Sequence, residues 1–162
     1  MNQPSGNTSF VLSDAMREYF TAIGIKGQKG GRSTSGQFPS LIQVYYMCMV
    51  LGVAKNKRGS PQPMSKDMVR SWAGSTKANE DLISGVAFYK FSESKGYDLN
   101  EPDMNVLKGM NEFFHRHEEF TPEAYLSMNQ FAQGGFELIE KEIPDETELA
   151  DWMSVYIDML ME

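Results

Sequence analysis

A single cysteine, two histidines and the absence of any long apolar run set the first limits on this 162-residue chain. With Cys48 alone, no intrachain disulfide can form, and a reducing, cytoplasmic setting fits best. The longest apolar run, Leu41 to Val53, is broken by Gln43 and Gly52 and falls short of the ~20 residues that a membrane-spanning helix needs. No membrane contact is expected. Met1 to Thr8 lack the basic start and apolar stretch of a secretory signal, and read as a disordered tail ahead of one helical domain over 9–162.

Motifs that would announce an enzyme are also missing. The glycine-rich stretch Lys26 to Gly36 invites comparison with a phosphate-cradling nucleotide loop, but the spacing fails. Gly31-Arg32-Ser33 has arginine where the lysine belongs, and the earlier glycine falls on Lys26. Glu112-Phe-Phe-His115 points a carboxylate and an imidazole the same way from one helix, as in carboxylate di-metal bundles. Those sites use two copies and this chain has one. Cys48, flanked by Met47 and Met49, reads as a buried, inert small hydrophobe. Tyr45, Tyr46 and Trp72 have rings that stack on bases elsewhere, yet they sit at helical spacing and read as core. The expectation is no catalytic residue, no metal and no cofactor.

What the chain does have is a charge split. Residues 1–70 hold nine Lys/Arg against three Asp/Glu, a balance of +6, whereas residues 71–162 hold six against nineteen, a balance of −13. One half faces anions and the other repels them. The basic set is Lys26, Lys29, Arg32, Lys55, Lys57, Arg58, Lys66 and Arg70. Glycines that let a backbone approach phosphates, with cations to neutralise them, suit contact with nucleic acid or another anion. A net charge of −7 weighs against a free-standing DNA binder and leaves ordinary solvated loops as the other reading.

Apolar periodicity and punctuation predict helices along most of the chain. Ser13 caps a first helix carrying Met16, Tyr19, Phe20 and Ile23. Pro39 and Ser40 open a buried central helix closed by Gly52, bracketed by two irregular basic loops. Ser65 to Ala73 reads as a short helix with Met68, Val69 and Trp72. Thr76 caps one with Leu82, Ile83, Val86 and Phe91, ended by Gly96. Asn100 and Asp103 resemble a capping box before Leu107, Met110, Phe113 and Phe114. Thr121-Pro122 starts a helix interrupted near Gly134-Gly135, and Asp145 with Glu148 caps the last.

That last helix is unusually apolar. Leu149, Trp152, Met153, Tyr156, Ile157 and Leu160 form one stripe, and Val155 and Met159 widen it beyond the arc that a surface helix needs. Val155 and Met159 are therefore the expected protein-interface residues, set against the alternative that the helix is buried on two sides of its own fold.

The expected architecture is mostly α: a single-domain bundle of six or seven helices with irregular basic loops in the N-terminal half. No motif identifies a family. The stretch Val44 to Arg58 resembles small helical subunits of DNA-modifying or phage-defence systems, which implies a non-enzymatic accessory subunit of a larger prokaryotic-type nucleic-acid-processing or defence assembly. Its basic loops would meet nucleic acid or another anionic partner, and its acidic C-terminal half would meet a protein partner or a homo-oligomer. The alternatives are a pure protein adaptor or self-assembling structural protein, and a carboxylate/histidine metalloprotein.

Overall fold

The computed structural model describes residues 9–23, 40–60, 64–67, 74–100, 104–115, 120–145 and 147–162. Within them lie β1 (Val11–Ser13), α1 (Asp14–Ala22), α2 (Leu41–Ala54), β2 (Met64–Asp67), a short 3-10 helix (Gly74–Asn79), α3 (Glu80–Ser94), α4 (Met104–Phe113), α5 (Pro122–Glu142) and α6 (Leu149–Met161). The chain is a mostly α, single-domain bundle with six α-helices among the described residues. None of these helices is long and apolar enough to cross a membrane.

Local signals start three of the helices. Ser13 Oγ accepts from the Met16 amide at 3.3 Å, Ser40 Oγ from Gln43 at 3.4 Å, and Thr121 Oγ1 from Ala124 at 3.2 Å with Pro122 following. Each satisfies an amide that the first turn leaves without an intrahelical partner. The last helix starts differently from expectation. Glu148 is its N-cap without a side-chain bond, and Asp145 lies before the helix in a turn.

Two glycine signals are misleading when read locally. Gly52 does not end α2, nor do Gly134 and Gly135 interrupt α5. A Cβ on Gly52 would fall on the Phe131 carbonyl, and one on Gly135 would fall on the Cys48 carbonyl, so the two backbones touch where a side chain would hold them apart. The helix-weakening cost of glycine is accepted for close approach. What does end α2 is Asn56, held at φ 49°. Its amide donates to the Val53 carbonyl at 3.1 Å, and the Lys57 amide reaches back to the Gly52 carbonyl at 2.7 Å. This is a Schellman turn with asparagine in the left-handed position usually given to glycine.

The segment at 64–67 also departs from expectation. It is a strand paired antiparallel with β1, Val11 opposite Asp67 and Leu12 opposite Lys66. Pairing with a distant strand overrides the local helical pattern. Met68, Val69 and Trp72 lie outside the described residues. Thr76, expected as a cap, falls inside the 3-10 helix, and Asn79 precedes α3 without a side-chain cap bond. Gly96, at φ 74°, follows the end of α3 as expected.

The core runs between α2 and α5 and is rich in rings. Phe10, Tyr45, Phe120 and Tyr125 meet edge to face or tilted, with Phe113 linking on to Phe88 and Phe91. Buried Asn129 ties the N-terminal segment to it. Its Oδ1 accepts from the Val11 amide at 3.1 Å and from the Tyr45 hydroxyl at 2.7 Å, while its Nδ2 donates to the Ser9 carbonyl at 3.1 Å. Leu82, Val86, Leu107 and Met110, part of the apolar period that marked these helices, point outward. Ile83, Ala87 and Phe91 face inward from α3, and Gly109 and Phe113 from α4. Both helices carry apolar residues on more than one side, so spacing alone did not pick the inner face.

Candidate protein-docking groove

The Schellman turn directs the basic run Lys55 to Arg58 along α5. Arg58 is committed to the fold: its Nη1 donates to Gln130 Oε1 at 3.0 Å and its guanidinium lies 4.5 Å from the Phe131 ring centre. Partial burial lowers its pKa from the ordinary arginine value, a direction that opposes but does not remove the charge. Lys57 is engaged too, its Nζ 3.8 Å from Glu137 Oε2. Both interactions hold the end of α2 against α5.

Lys55 and Lys57 then form one wall of a groove of about 520 Å³. Leu138 and Glu142 enter it from α5, and Val155, Asp158, Met159 and Glu162 from α6. The α6 residues recur at i, i+3, i+4 and i+7, which places them on one side of that helix. The groove thus unites four of the residues singled out by sequence, Lys55, Lys57, Val155 and Met159. Leu138, Glu142, Asp158 and Glu162 were missed. Their only sequence signal is helical phase with Val155 and Met159 for the α6 pair, and none links α5 to them.

The inner side of α6 explains how it presents that face. Trp152 and Tyr156 are buried and stacked, with ring centres 5.2 Å apart. Trp152 Nε1 donates to the Tyr19 hydroxyl at 3.0 Å, which donates in turn to the Ile143 carbonyl at 2.8 Å, and the Tyr156 hydroxyl donates to the Met47 carbonyl at 2.9 Å. Burial pushes the Tyr19 pKa up to about 12 and raises that of Tyr156 further. Met159 is half-buried against the core, whereas Val155 is 37% exposed and Ile157, counted in the helix's apolar stripe, is 51% exposed. The buried side is therefore turned toward Met159 and away from Ile157.

Lys26, Lys29, Arg32 and Arg70 lie outside the described residues. Lys66 is in β2, where its backbone pairs opposite Leu12.

The other chemical candidates separate as follows. The Glu112 carboxylate accepts from the Tyr97 hydroxyl at 2.7 Å and lies 3.9 Å from Lys95 Nζ. That hydrogen bond raises the Tyr97 pKa. His115 is exposed and lies beyond the end of α4 at Phe113, so the helical geometry that would align it with Glu112 is not met. Among the described residues no group of three or more His, Cys, Asp or Glu could hold a metal ion. Cys48 is completely buried, which pushes its thiol well above the usual range and disfavours the reactive thiolate. Tyr45 is likewise buried, with its hydroxyl given to Asn129.

A second surface feature was not anticipated. Leu82, Val86 and Tyr89 of α3 point outward at i, i+4 and i+7, around a shallow groove of about 310 Å³ that Val53 and Gly85 also line. No protein-family model, curated protein or solved structure matches the chain.

Proposed function

We propose that this chain is a non-enzymatic helical accessory subunit that works by protein–protein contact, with the groove beside α6 as its docking surface. The observation that carries the reading is the groove's make-up. Apolar Leu138, Val155 and Met159 lie among charges of both signs, Lys55 and Lys57 with Glu142, Asp158 and Glu162. An apolar strip with a charged rim is the anatomy of a protein interface. A phosphate-binding surface would instead concentrate cations, since each neighbouring carboxylate repels the backbone it has to meet.

The same geometry favours the pure-adaptor form over nucleic-acid contact at this site. Arg58 is held by Gln130 and Phe131, and Lys57 is near Glu137. Nucleic-acid contact by a larger assembly then rests on the other basic residues, Lys26, Lys29, Arg32, Lys66 and Arg70. The test pairs two titrations of the full chain, co-expressed with the products of flanking genes. Asp158→Lys is expected to release protein partners in native mass spectrometry. Changing Lys55, Lys57 and Arg58 together to Ala is expected to leave the salt slope of nucleic-acid binding unchanged in fluorescence anisotropy. Intact complexes in the first experiment and a reduced slope in the second would reverse the reading.

A further inference from the structure

We propose that the partner seated in the groove is a second copy of this chain, joined through a closed two-fold interface; the proposal rests on the protein-docking reading above. The two signs of charge in the groove come from different elements. The cations Lys55 and Lys57 belong to the end of α2, whereas Asp158 and Glu162 belong to α6. A two-fold contact presents the same patch from both copies, so a surface can pair with itself only if it carries both members of each complementary pair. This one does. Laying the α2 wall of one copy over the α6 wall of the other sets lysines against carboxylates twice, with Val155 and Leu138 of both copies closing the apolar strip between them.

The charges on α6 point to a cation from outside the chain. Asp158 and Glu162 stand in and just beyond the last turn, where the negative end of the helix dipole disfavours carboxylates, and that turn contains no basic residue. Lys55, Asp158 and Glu162 form no ion pair among the described residues, although all three line the same groove. Lys55 and the two α6 carboxylates are matched at once by the two-fold contact, in which Lys57 adds its charge beside Glu137. Because such an interface uses the patch on each copy completely, it closes at two copies and does not propagate into a filament.

Sedimentation velocity of the full chain over a wide range of concentration tests this. Wild type is expected to pass from monomer to dimer without larger species, and to do so less readily as salt rises. The variant K55E/K57E makes both walls acidic, and the variant D158K/E162K makes both basic. Each alone should self-associate at least about tenfold more weakly, because like charges then face each other. Mixed together, the two should form a heterodimer, a rescue that a merely misfolded variant cannot give. A wild-type chain that remains monomeric throughout, a dimer indifferent to both variants, or an open ladder of oligomers would each overturn the proposal. If the chain stays monomeric but K55E/K57E still releases a different protein, the docking reading stands and only the second copy is lost. If neither association responds, both fall.

Discussion

The two most apolar helices of the molecule meet opposite fates. In α2, eight of fourteen residues are buried, whereas in α6 only Trp152 and Tyr156 of thirteen are. Composition does not separate them; neighbours do. On one side of α2 the backbone of α5 comes into direct contact through glycines, and its remaining sides meet the ring-lined core. By contrast, α6 rests on the fold along one edge, anchored by the Tyr19 and Tyr156 hydroxyls, and leaves Val155, Ile157 and Met161 outward. An apolar helix therefore defines a core only where partner faces exist, and its surplus defines a surface that another molecule can cover.

The sharpest way to break the comparison is to add one methyl group to the α2–α5 contact. Gly135→Ala places a Cβ on the Cys48 carbonyl, and backbone cannot turn aside as a flexible side chain can. The expected loss is about 4 kcal/mol or more, beyond the usual 1–3 kcal/mol of overpacking, because two helices must separate. Chemical denaturation measures it. A variant within 1 kcal/mol of wild type would show that the helices are not in backbone contact. Gly85→Ala is the matched control, since a Cβ there meets nothing.

Alkaline pH tests the anchoring of α6. The folded pKa of Tyr19 is raised to about 12 from an ordinary value of 10.0, chiefly by burial. Between those values the unfolded chain gives up this proton and the folded chain keeps it, so stability is full below pH 10 and falls as pH rises toward 12. The loss from Tyr19 is about 2–3 kcal/mol at the top of that window. Tyr45, Cys48 and Tyr156 shift in the same direction for the same reason and add to the loss. Denaturation midpoints at a series of pH values check this, and Tyr19→Phe should flatten part of the fall. A midpoint that stays level through pH 11 would mean that these hydroxyls are open to water.

Asn129 joins the core to the chain's N-terminal segment, and Asn129→Leu probes how much of the burial around α2 depends on it. The Val11 amide and the Tyr45 hydroxyl would lose the acceptor they now share, and the Ser9 carbonyl would lose this donor. An apolar replacement offsets part of that cost through added burial. The net loss is expected to be about 2 kcal/mol. Hydrogen exchange should quicken at Val11 before it does in α5; equal quickening of both would mean that the N-terminal segment and the core open together.

These tests also mark what could be read before the structure. The caps at Ser13, Ser40 and Thr121 were legible because an N-cap acts within three residues of itself. Gly52 and Gly135 were not, since their cause is a helix more than 70 positions away, and a local reading takes any glycine as a weak point. The strand at 64–67 was lost for the same reason. Outward Leu82 and Leu107 show a related limit: periodicity reveals an apolar stripe but not which side the neighbouring helix occupies. At the candidate site, Lys55, Lys57, Val155 and Met159 were recognised as two separate features, one basic and one apolar. Only folding brings the end of α2 beside α6, and with it the carboxylates that change the meaning of the lysines.

The smallest expected effect on stability falls on the groove itself. Val155 is 37% exposed and lines the groove, while Met159 on the same side is half-buried against the core. Val155→Ser should therefore change the unfolding free energy by no more than about 0.5 kcal/mol, as substitutions at exposed positions usually do. Met159→Ser removes packing as well and should cost about 1–2 kcal/mol. The separation between the two is the informative quantity, because one residue serves the fold and the other serves the surface. If Val155→Ser costs as much as Met159→Ser, that wall of α6 belongs to the core. If Val155→Ser leaves both stability and self-association untouched in light scattering, the strip is not a contact surface, and α6 differs from α2 only in being less completely covered.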